Sequence, residues 1–141
     1  MQLLRRLLLG LLPVRLRVRV FRFPGHFQSC IYLGINQKAA GDYQGAISSW
    51  KYASYIVPDD FISLANVGNL YAYFLKDNAE AEVYYKEAIG KGPLNEYLYT
   101  QLAEIYRDIF KDLGKARTIV NQGLSQLPGS QNLLQLKESL K

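Results

Sequence analysis

A chain of 141 residues suits one domain and is long enough to bury a core. With 49% hydrophobic and 21% charged residues it reads as globular, and its single cysteine, Cys30, excludes an intramolecular disulfide and a multi-cysteine zinc site. The formal charge of +5 sits at one end: residues 1–26 hold six arginines and no acid, while the remainder has eleven Lys or Arg against twelve Asp or Glu, so no nucleic acid is expected on the body.

The first segment in chain order, 1–26, is a basic apolar leader. Leu3, Leu4, Leu7, Leu8 and Leu11 make a helical stripe. After Pro13 the run Val14-Arg15-Leu16-Arg17-Val18-Arg19-Val20 alternates as an extended strand does. Bilayer insertion is disfavoured, because the apolar residues of 3–23 contribute roughly −4 to −8 kcal/mol while Arg15, Arg17 and Arg19 cost about 7 to 10 kcal/mol near the centre. The run Leu7–Val14 is short for a secretory signal and no A-x-A site follows. An arginine-rich, acid-free leader resembles a mitochondrial presequence, although it is serine-poor. Adhesion to an anionic membrane surface, worth about 1 kcal/mol per arginine, is another reading, and a natural start upstream of Met1 is a third. Location therefore stays open among cytoplasmic, membrane-associated and mitochondrial.

From Phe27 onward the pattern is helical. "FPGHF" at 23–27 reads as a turn before the first helix, with His26 exposed or capping. Residues 61–75 and 79–91 carry apolar side chains at three- and four-residue spacing, the mark of amphipathic helices. Pro58, Pro93 and Pro128 lack a backbone N–H and each ends one helical hairpin and opens the next, with Asp60 and Ser130 as N-cap candidates. Helix 131–141 presents Leu133, Leu134, Leu136 and Leu140 to the body and Lys137, Glu138 and Lys141 to solvent, as a C-terminal cap.

These elements repeat. Ala46, Ala81 and Ala116 are 35 residues apart, as are Pro58, Pro93 and Pro128. Trp50, Tyr85 and Val120 form a third set; Ala53, Ala88 and Gly123 form a fourth. Upstream, Gly34, Gly68 and Ala103 mark the facing helix, small enough for two helices to approach closely. The second and third copies carry one extra residue, expected between the helices. This pattern resembles the tetratricopeptide repeat, with W-x2-L-G-x2-Y on one helix and A-x3-F-x2-A then proline on the next. Cys30 stands where the family has its first large aromatic, and Gln37 where Tyr71 and Tyr106 supply tyrosine. The resemblance implies an all-α, right-handed helical-hairpin solenoid of about seven helices. Its domain would span 27–141, with repeats 27–60, 61–95 and 96–130 and the capping helix.

Residues suited to chemistry are sparse. His26 is the only histidine, no H-E-x-x-H, G-x-S-x-G or phosphate loop occurs, and "GKG" at 90–92 follows no strand. Cys30 and His26 are four residues apart but have no orienting base or oxyanion site. No enzyme activity, cofactor or metal is expected. Glu80, Glu82, Asp108 and Asp112 read as solvated helix faces.

The resemblance implies a non-catalytic protein-interaction module that binds a peptide or helix in a concave groove lined by the first helix of each repeat. Carried over position by position, that groove includes Ile31, Ile35 and Lys38 in the first copy. The second supplies Ile62, Ala65, Asn69, Ala72 and Tyr73, with Asn66 beside them, and the third Tyr97, Thr100, Glu104, Arg107 and Asp108. Family members that grip acidic chaperone tails use a cationic clamp. Its positions here hold Ile31, Ile35, Asn66, Tyr97 and Gln101, of which only Asn66 fits, so a chaperone C-terminal tail is not the expected partner. The alternative is a structural subunit packed permanently in a larger assembly.

Overall fold

The computed structural model of the protein describes residues 24–141. The stripe and the alternating segment read in the leader, with its targeting and membrane-surface readings, lie outside the described residues. Among the described residues the fold is all helical and has no strand. The helices are α1 Pro24–Ala39, α2 Tyr43–Ile56, α3 Ile62–Asn69, α4 Asn78–Lys91, α5 Glu96–Glu104, α6 Leu113–Gln126 and α7 Gln131–Ser139. α3 and α5 continue directly into wider π-wound turns, Leu70–Leu75 and Ile105–Ile109. The most extensive packing joins α1 with α2, α3 with α4, and α5 with α6; α7 lies against α5 and α6.

The same local devices return in each pair. Asp42, Asp77 and Asp112, 35 residues apart, each accept a hydrogen bond from the backbone N–H three residues on, at 2.9, 3.1 and 2.9 Å. They cap α2, α4 and α6, satisfying donors that a helix start leaves open. Directly before them Gly41, Lys76 and Lys111 have positive φ, the turn that reverses the chain. At the other end, the N–H groups of Val57, Gly92 and Leu127 donate to Ala53, Ala88 and Gly123. Each proline then follows as the second residue of a turn, closed by Asp60 N–H to Val57 O, Asn95 N–H to Gly92 O and Ser130 N–H to Leu127 O.

The extra residue of the second and third copies is not between helices. It is absorbed inside the first helix of the pair, where the backbone widens to π winding. The Asp42 N–H reaches back five residues to Gln37 O, whereas Asp77 and Asp112 reach back six, to Tyr71 O and Tyr106 O. The reason is that the connection is held at both ends, by the positive-φ residue and by the aspartate cap, so the helix itself takes up the insertion.

Two boundaries also differ from the periodicity. α1 opens at Pro24, so "FPGHF" is no free turn and His26 lies in the first helical turn. Proline's fixed φ and missing donor cost nothing at a helix start. On α7, Leu133, Leu136 and Leu140 are buried, but Leu134 is 40% exposed, because it is rotated off the face those three share. Ser130 does cap α7, accepting from Leu133 N–H, and Arg117 donates to the Leu140 carbonyl at 2.7 Å at the far end.

Between paired helices the packing is a matter of complementary size. A Cβ on Gly34 would lie 2.4 Å from Trp50 Nε1, and one on Gly68 would lie 2.6 Å from Tyr85 Cδ2. Where the corresponding second-helix residue is the smaller Val120, the first helix carries Ala103, and both are fully buried. Ala46, Ala53, Ala81, Ala88 and Ala116 are likewise completely buried, close-packed positions where added methylenes cost about 1–3 kcal/mol. Pro58, Pro93 and Pro128 stay exposed in their turns.

Candidate functional site

The two core aromatics also have polar ends, and one reaches the candidate face. Trp50 Nε1 donates to Ile31 O at 3.3 Å, inside the first pair. Tyr85 is fully buried, and its hydroxyl donates to Asn69 Oδ1 on α3 at 2.7 Å. Burial pushes the Tyr85 phenol well above its ordinary range, with Tyr97 and Tyr73 adding to that. The hydroxyl stays protonated and serves as donor to the Asn69 side chain.

Asn69 accepts that bond, and three more residues singled out in the sequence, Tyr73, Tyr97 and Glu104, come within electrostatic reach of the Tyr85 phenol. Tyr73 stands on the π turn after α3, while Tyr97 and Glu104 stand on α5. The two π turns touch, which sets the ends of these first helices side by side. Tyr73 is 40% exposed and Tyr97 53%. Partial burial, and then the carboxylates of Glu104 and Asp108 and the Tyr97 phenol, raise the Tyr73 phenol. Glu104 accepts from Gln101 Nε2 at 3.1 Å. Arg107 is engaged next door, its Nε and Nη2 both 2.7 Å from the two carboxylate oxygens of Asp108.

The remaining candidates are placed otherwise. Lys38, near the end of α1, holds its Nζ 5.1 Å from the Phe74 ring centroid, and Phe74 also packs on Tyr43 at 5.2 Å. Ile35 is exposed, whereas Ile31 and Asn66 are half-buried; no hydrogen bond other than backbone pairing and no ring contact ties the side chains of these three to the tyrosine cluster. Ala65 and Ala72, which the groove pattern places on an open face, are buried to 2% and 0% exposure. Side chains of one carbon at those points sit beneath neighbouring helices.

Two further groups at the site carried no sequence signal: Phe74 and the Tyr85 hydroxyl come into play only through packing. Elsewhere, Lys91 Nζ donates to Ser54 O and Oγ at 3.1 and 2.7 Å, tying α4 to α2 across 37 residues. It borders an open depression of about 510 Å³ with Lys51, Tyr55 and Tyr84. Glu82 is gripped by Lys86 at 2.6 Å and Lys115 at 2.8 Å, the latter bridging α4 to α6. It is thus part of a bridge between pairs and not merely a solvated side chain.

Cys30 is half-buried on α1, and burial raises its thiol, the direction opposite to that of an activated nucleophile. Among the described residues no three His, Cys, Asp or Glu side chains are grouped as a metal ion would need, and no helix is long and apolar enough to cross a membrane. No protein-family model matches the chain, and no curated protein matches it.

Proposed function

We propose that this chain is a right-handed solenoid of the tetratricopeptide type, which binds an extended or helical segment of another protein along the face of α1, α3 and α5, without catalysis. Three helical pairs with repeated caps and turns support the architecture, since units of this kind gain stability by stacking and leave a concave face along their first helices. The observation that carries the binding reading is the pair Tyr73 and Tyr97. Both are large and half-exposed, they stand on adjacent first helices, and they flank polar groups already held in place. Covering two such anchors contributes roughly 1.5–3 kcal/mol each, less the cost of ordering the partner, which suits a transient or avidity-assisted complex. A chaperone tail lacks its cationic clamp here.

The test is a peptide array probed with the wild-type chain and with Tyr73→Ala plus Tyr97→Ala, circular dichroism confirming that the variant keeps its helices. Loss of bound spots supports the reading, and an unchanged pattern removes this face from it. A second reading, a structural subunit held permanently in a larger assembly, draws on the exposed Tyr32, Leu33 and Tyr55 of the first pair. Sedimentation separates the two: a lone chain that stays monomeric favours the module, and one that aggregates without partners favours the subunit.

A further inference from the structure

We infer that the segment bound at this face is basic, presenting an arginine or lysine that lies on the rings of Tyr73 and Tyr97 and places its charge against Glu104. The inference rests on the docking reading above and adds the chemistry of the occupant. An occupant that covers the two rings also strips water from the Glu104 carboxylate beside them. A carboxylate offers about four acceptor sites, and Gln101 Nε2 occupies one. Removing solvent from the others without supplying a cation is strongly unfavourable. Among the described residues Arg107 is close enough for its charge to act with Glu104, but its Nε and Nη2 hydrogen bonds are committed to Asp108. Lys38 is directed at Phe74.

An acidic segment would meet Glu104 and Asp108 together, and a purely apolar one would leave Glu104 desolvated and unpaired. A guanidinium satisfies both surfaces at once, since it stacks on tyrosine faces and gives paired N–H donors to a carboxylate. Asn69, whose Oδ1 is taken by Tyr85, keeps its amide N–H groups for a backbone carbonyl of the same segment.

Fluorescence anisotropy of the full chain tests this, using two labelled heptapeptides that alternate valine with arginine or valine with glutamine. The arginine peptide should bind at least tenfold more tightly. Glu104→Gln should remove most of that difference, weakening the arginine peptide and tightening the glutamine peptide, which no longer covers an unpaired carboxylate, and Glu138→Gln on α7 should have no effect. Equal binding of both peptides, or a difference that survives Glu104→Gln, overturns the basic-segment proposal. Loss of both peptides in Tyr73→Ala plus Tyr97→Ala would then show that the docking face itself stands. Retention of both in that variant sinks the docking reading too. If changing Arg15, Arg17 and Arg19 to glutamine strengthens the arginine peptide's binding, the chain's own basic segment competes for the face, which supports the same selectivity.

Discussion

Gly68 lies directly against the ring of Tyr85, so close that a Cβ would fall 2.6 Å from Cδ2. The missing side chain lets the ring pass under α3, and the hydroxyl at its end then holds Asn69 at the candidate face. A packing choice in the core thus positions a polar group on the surface.

Gly68→Ala should destabilise the chain by about 1–3 kcal/mol despite alanine's better helix propensity. Tyr85→Val alone leaves a cavity and should cost about 2–4 kcal/mol. The double variant copies the Ala103 and Val120 combination of the third pair and should lose clearly less than the two single losses added together. Urea denaturation of all four proteins measures the coupling. Strict additivity would show that the two positions are not in steric contact.

The aspartate caps offer a more local test. Asp77→Ala removes the acceptor for Glu80 N–H and should cost about 1 kcal/mol. Asp42→Ala and Asp112→Ala should cost similar amounts, and Asp77→Asn much less, because asparagine also accepts at a cap. Thermal melts compared at one pH would check this, with an unshifted Asp77→Ala midpoint as the contrary result.

Glu82 sets an acid limit on stability. Its partial burial would raise the carboxyl, but the hydrogen bonds and charges of Lys115 and Lys86 outweigh that and bring it down to about 2. A folded value below the unfolded one means that the stabilisation is fully present above about pH 4.5 and is lost as pH falls toward 2. The two lysine side chains are 53% and 61% exposed, so screening leaves about 1 kcal/mol. Wild type and Glu82→Gln should differ by that amount at pH 7 and converge near pH 2 in denaturant titrations. A constant gap across the range would assign the loss to something other than charge.

Much of the helical skeleton is legible in the amino-acid order. Spacing of apolar residues at three and four marks the stretches that become Ile62–Leu75 and Asn78–Lys91, since a helix face recurs on that period. The aspartates at 42, 77 and 112 share the 35-residue period of the prolines, a capping signal just as readable but overshadowed by the larger residues. The location of the extra residue was not readable. A π turn forms because the connection beyond it is pinned, and pinning is a property of two packed helices, not of a window of sequence.

By itself, then, the order of residues determined most of where helices form and stop and, at the repeated positions, which residues must be small, because those outcomes depend on neighbours a few residues away. Only the tertiary structure decided which exposed groups stand together. Asn69 bonds the Tyr85 hydroxyl, and Tyr73, Tyr97 and Glu104 come within electrostatic reach of it, through the packing of separate helices. The same packing buried Ala65 and Ala72 and turned Leu134 outward. Side-chain direction across a helix interface follows from crossing and winding, and a single inserted residue rotates everything beyond it by about 100° unless the winding widens to absorb it.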